Sequence, residues 1–136
     1  MTMVLAACQN IGDFRGTWTG SRVGSGAPLS VGIPQTSVAG LEIFDLDTHG
    51  LKGSLSVPGL ANSAGIESVP GAEADALANM TFAGSPVRVY VAFVPTIDGG
   101  GDAVALIALY EDRRVEVRLL RGGSVSIYAI FALTEA

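Results

Sequence analysis

Asp45-Leu46-Asp47-Thr48-His49-Gly50 is the densest group of chemistry-bearing side chains in this sequence. Its D-x-D-x-x-G rhythm opens like a calcium loop, which would add Asp or Asn at the fifth position and Glu at the twelfth. Here those places hold His49 and Ser56. Asp45 and Asp47 are therefore half of a ligand set, and a polar turn in which they cap backbone amides is the favoured reading. Asp98-Gly99-Gly100-Gly101-Asp102 is similar: two carboxylates flank a glycine tip that reads as a solvated hairpin loop. Arg113, Arg114, Arg118 and Arg121 gather near the last hairpin and would make an anion-binding face, aided by Tyr128 and Tyr90. Their alternation with Glu111, Asp112 and Glu116 favours an ordinary solvent face instead.

Catalysis finds little to work with. His49 is the only histidine, and no Gly-x-Ser-x-Gly elbow presents a serine to it. Hydrolytic zinc sites use two or three histidines. The expectation is a protein that is not an enzyme and carries no cofactor. The candidate metal ligands are Asp45 and Asp47, and the candidate ligand-contacting residues are Trp18, Tyr90, Arg118 and Tyr128.

Near the N-terminus, Leu5-Ala6-Ala7-Cys8 places two small residues between an aliphatic residue and the single cysteine of the chain. This resembles the lipobox of bacterial lipoproteins. The resemblance implies cleavage before Cys8, a diacylglycerol on its sulfur, and an address in the cell envelope, in the periplasm or at the outer membrane. Gln9 in place of Asp after the cysteine points to the outer membrane. Residues 1–8 then form a residual signal segment, although a full signal has a basic stretch and a longer apolar run. Residues 9–136 form one domain.

Composition agrees with such an address. The net charge is −5 and the sequence pI is about 4.6. That balance argues against nucleic acid, whose binding rests on Lys and Arg neutralising phosphates. With one cysteine there is no disulfide, and 136 residues suffice for an apolar core without one. No apolar run reaches the ~18 residues of a membrane helix.

The elements that must position these residues are strands. Glycines, prolines and short polar clusters separate runs rich in Val, Ile, Leu, Phe and Tyr. The expected strands are 14–22, 29–35, 38–46, 51–57, 78–83, 87–95, 104–111, 114–121 and 125–134. The fold class is all-β: an antiparallel meander of about eight or nine strands forming a small barrel, with a sandwich as the alternative. Val87, Val89, Val91 and Phe93 alternate with Arg88, Tyr90 and Ala92, which assigns the valine face to the core. Val104–Leu109 is apolar throughout and needs cover on both faces, from another layer of the chain or from a second copy. In the last hairpin, a three-residue loop Gly122–Ser124 pairs Val115 with Phe131, Val117 with Ala129 and Leu119 with Ile127. It leaves Glu116, Arg118 and Tyr128 together on the opposite face. Pro58–Asp75 reads as a long connection with a short helix near 72–79.

Gly16-Thr17-Trp18 in the first strand resembles the Gly-x-Trp start of lipocalins and avidins, the calycins. Gly-Thr-Trp-Thr-Gly is also similar to the opening of small bacterial lipoprotein β-domains of uncharacterised function. The calycin resemblance implies that Trp18 closes one end of a barrel. In lipocalins an Arg of the last strand packs over that Trp; this last strand has none, and Arg118 or Arg121 is the expected substitute. Gly20 stands where avidins have a biotin-contacting Asn, so biotin binding is not implied. Trp18 itself is read as a core plug before a ligand contact.

The expected function is that of a lipid-anchored envelope protein with a structural or protein-interaction role, whose partner is another envelope protein. The alternative is a calycin-like carrier of a small apolar ligand.

Overall fold

The computed structural model describes residues 14–23, 38–47, 49–69, 86–95, 103–121 and 127–136. Among these residues eight strands run in chain order: β1 (Gly16–Val23), β2 (Val38–Leu46), β3 (Leu51–Val57), β4 (Ala61–Glu67), β5 (Arg88–Val94), β6 (Ala103–Tyr110), β7 (Arg114–Arg121) and β8 (Ile127–Glu135). They form one antiparallel sheet in the order β4-β3-β2-β1-β8-β7-β6-β5. This is an up-and-down meander in which the first and last strands pair at the centre. The sheet curls until its outer strands meet at Ser68↔Ala92, giving a nearly closed barrel. The all-β meander expected from the sequence is the fold observed.

Strand periodicity sets the inside. On β3, Leu51, Gly53, Leu55 and Val57 are buried while Lys52 is exposed and Ser54 and Ser56 are half-buried, as a period of two requires. The interior is packed by one continuous apolar cluster, with Trp18, Phe131, Leu41, Ile43, Leu55, Ile107 and Leu119 among its fully buried members. Two interior glycines let neighbouring backbones close up. A Cβ at Gly20 would lie 1.8 Å from the Ala132 carbonyl oxygen, and one at Gly53 would lie 2.1 Å from that of Glu42.

Several expectations are corrected. The Pro58–Asp75 connection contains β4, paired to β3 from Lys52↔Glu67 to Val57↔Ala61. Leu60 N–H donates to the Val57 carbonyl at 2.9 Å with Gly59 at φ 85°, so Val57-Pro58-Gly59-Leu60 forms a tight turn with glycine at its second central position, as type II turns require. The weak apolar pattern of β4 hid it: only Ala61 and Ile66 are buried. The last hairpin is displaced by two residues, pairing Val115 with Leu133, Val117 with Phe131 and Leu119 with Ala129. An even shift keeps every side chain on its expected face. A bulge between Leu119 and Leu120 accompanies the change.

The third correction concerns β5. Pairing to β6 sets Tyr90 against Ile107 and Ala92 against Ala105, which are interior residues. The valine face therefore points outward, with Val89 buried and Phe93 64% exposed. On that outer side Val89, Leu106, Ala108, Tyr110 and Leu120 form a second buried apolar cluster. Both faces of β6 are thus covered within a single chain, as its apolar run demands, without a second copy.

The expected strands 29–35 and 78–83, the helix near 72–79, the Asp98–Asp102 tip, the Gly122–Ser124 loop and Cys8 lie outside the described residues.

Candidate functional site

Antiparallel connectivity brings the start of β1, the β2–β3 turn, the β6–β7 turn and the end of β8 to one end of the barrel. Trp18 sits there, fully buried, with its Nε1–H donating to the Phe14 carbonyl at 2.9 Å. The Phe14 and Trp18 rings stack with centroids 5.5 Å apart and planes 24° from parallel. The Arg113 guanidinium lies 5.4 Å from the centroids of both rings and pairs with Glu135 at 2.9 Å. The arginine over the tryptophan is therefore Arg113 of the β6–β7 turn, in place of the expected Arg118 or Arg121. Arg118 points away because its pairing with Leu106 and Ile130 puts it on the outer face of β7. No sequence signal marks Arg113. It adopts φ 66°, a left-handed conformation normally given to glycine at the end of a three-residue hairpin loop. The cation–π and ion-pair contacts offset a backbone cost of about 1–2 kcal/mol.

Beside this plug, the β2–β3 turn borders an open cleft of about 290 Å³ lined by Asp45, Asp47, His49, Lys52, Glu67 and Ser68 among others. The Asp47 Oδ1 accepts backbone N–H groups from His49 at 2.7 Å and Gly50 at 3.0 Å. Those two amides hold its carboxyl below the usual carboxylate range. Asp45 pairs with Arg15 at 3.3 Å, both exposed. The two candidate metal ligands thus each have a protein partner. Among the described residues no group of three or more His, Cys, Asp or Glu is arranged to hold a metal ion.

The candidate ligand residues do not converge. Trp18 and Tyr90 belong to the interior cluster. The Tyr90 hydroxyl donates to the Asp47 carbonyl at 2.7 Å, tying β5 to the β2–β3 turn. Arg118 is on the outer face, and the Tyr128 side chain lies outside the described residues. No family model, curated protein or solved structure matches this chain.

The arginine-rich face is also corrected. Glu116 is 6% and Arg118 8% exposed, so this part of β7 is buried. Arg118 Nε donates to Glu116 Oε2, and the Tyr110 hydroxyl donates to Glu116 Oε1 at 3.1 Å. Arg114 stacks over the Tyr110 ring at 4.1 Å and pairs with Asp112 at 3.4 Å. Burial, with the Glu116 charge adding to it, pushes the Tyr110 hydroxyl up to about 12. Each of these groups has a polar partner, as buried polar groups must.

Two further features escaped the sequence. Arg22 pairs with Phe131 and so faces the interior, at the end opposite Trp18, and is only 9% exposed. At that same far end a second open cleft of about 300 Å³ is lined by Val38, Ser56, Val57, Pro58, Gly59, Ala61 and Asn62.

Proposed function

We propose that this protein is a lipid-anchored β-barrel of the cell envelope that works through its surface, in a structural or protein-interaction role. The observation that carries this reading is the filled interior. Trp18, Phe131 and the aliphatic residues of the six other strands pack into one cluster, and an eight-stranded interior filled by side chains leaves the surface to carry the function. The Leu5-Ala6-Ala7-Cys8 sequence supports the anchor. With the anchor, the membrane is one partner and another envelope protein the second.

A carrier of a small apolar ligand is the second reading. Arg22 favours it, because a cation facing an apolar barrel interior is suited to orient the anionic end of such a ligand. One experiment separates the two. Native mass spectrometry of the domain from Gln9 onward, purified gently from a bacterial periplasm, is expected to give the bare protein mass. A mass increment that vanishes on denaturation overturns the surface-acting reading in favour of the carrier. Expression of the chain behind a complete signal, with intact-mass analysis, tests the anchor: a diacylglycerol increment that Cys8→Ser abolishes is expected.

A further inference from the structure

We infer that the barrel opens at one place, the seam between β4 and β5, where the β3–β4 hairpin detaches while the remainder of the sheet stays paired. The seam differs in kind from every other strand boundary. β5 pairs with β6 residue for residue from Arg88↔Leu109 to Val94↔Ala103, and β6 with β7 from Ala103↔Arg121 to Tyr110↔Arg114. Among the described residues, the seam has the single bridge Ser68↔Ala92 and one further backbone hydrogen bond, Val69 N–H to the Val91 carbonyl at 2.7 Å. The Tyr90 hydroxyl, donating to the Asp47 carbonyl of the β2–β3 turn, adds a side-chain latch from β5 to that hairpin.

The hairpin that faces this seam is also the less regular partner. Bulges interrupt β2–β3 between Ile43 and Asp45 and β3–β4 between Leu55 and Val57, and Ser63 holds a left-handed φ of 49°. Asn62, Ser63, Gly65 and Glu67 of β4 are exposed, so the strand is anchored by one face. β5 buries Val89 on one side and Tyr90, Ala92 and Val94 on the other. Local opening follows low density of buried apolar contact and of ladder hydrogen bonds, and β4 is poor in both, burying only Ala61 and Ile66 and pairing fully on one side alone. Opening there reaches the interior from the side and leaves the Phe14–Trp18–Arg113 plug shut.

Hydrogen exchange of the full chain, followed by peptide mass spectrometry, tests this. Peptides covering 61–67 are expected to exchange at least about tenfold faster than those covering 114–121 and 127–135. Tyr90→Phe removes only the latch hydroxyl, and Val69→Pro removes the seam donor. Each is expected to speed exchange in 61–67 several-fold without altering 114–121. A staple, Ser68→Cys with Ala92→Cys in a Cys8→Ser background, is expected after oxidation to slow exchange in 61–67 to the rate of β7. Equal rates in β4 and β7 of the unaltered chain overturn the inference, as does fast β4 exchange that survives the closed staple.

Discussion

The two halves of this barrel are built from strands of similar length and opposite character. β5, β6 and β7 are buried on both faces: Ile107 and Val117 pack inward, while Leu106, Leu120 and the Tyr110–Glu116–Arg118 network are buried outward. β2, β3 and β4 bury one face only, and their outer side presents Glu42, Phe44, Lys52 and Glu67 to solvent. The β5–β6 and β6–β7 ladders are unbroken, whereas bulges interrupt β2–β3 between Ile43 and Asp45 and β3–β4 between Leu55 and Val57; β7 has its one irregularity against β8, at Leu119/Leu120 near the strand end. One-sided strands tolerate such breaks because only one set of side chains must stay in register. A strand buried on both faces cannot slip by one residue without exchanging two packed surfaces.

The largest expected effect sits on the doubly buried side. Glu116→Ala leaves the Arg118 guanidinium buried without that carboxylate and is expected to cost about 3–5 kcal/mol in urea denaturation. The corresponding change across the barrel, Glu67→Ala, breaks an exposed pair with Lys52 at 3.9 Å and is expected to cost less than about 1 kcal/mol. Equal costs would erase the distinction between the halves.

Truncating an outward apolar residue sharpens the comparison. Leu106→Ala on β6, 2% exposed, is expected to lose about 2–5 kcal/mol. Phe44→Ser on β2, 56% exposed, is expected to change stability by no more than about 0.5 kcal/mol. Thermal melts of the two variants suffice.

A pH titration resolves a smaller effect of the same burial. Absorbance at 295 nm should show one tyrosine ionising with a midpoint of about 12, and Tyr110→Phe should remove that late phase. Because the folded-state value lies above the ordinary value of 10.0, the unfolded chain releases this proton first as pH rises. The contribution is therefore fully present below pH 10 and declines through the folded value.

The smallest effect belongs to the turn. The Asp47 carboxyl is held below the ordinary value by two backbone amides, so its contribution is present at neutral pH and fades as pH falls through the folded value. Asp47→Asn is expected to flatten the acid limb of the stability curve without changing the midpoint of an alkaline melt.

Much of the strand framework was legible because apolar alternation and turn residues are local signals. The ranges Val38–Leu46, Leu51–Val57 and Arg114–Arg121 are recovered end for end. β4 was not legible, since Ala61, Ala64 and Ile66 spread over ANSAGIE make no apolar stripe, and it exists because the β3 edge offers a ladder. The Pro58-Gly59 pair was the signal that would have marked its turn. The outward valines of β5 misled for a related reason: in a strand buried on both sides, composition does not say which side is the barrel interior. Arg113 over Trp18 was out of reach, since only the β6–β7 turn geometry brings residues so distant in sequence together.

By itself the sequence determined the all-β class, most strand limits and the two-sided burial of Val104–Leu109, because those depend on periodicity and composition along the chain. The tertiary structure decided the register of the last hairpin, which face of β5 is inside, which arginine caps Trp18, and that Glu116 and Arg118 are buried. Each of these depends on what lies across a strand boundary, and pairing between strands is fixed only when the whole sheet packs around one interior.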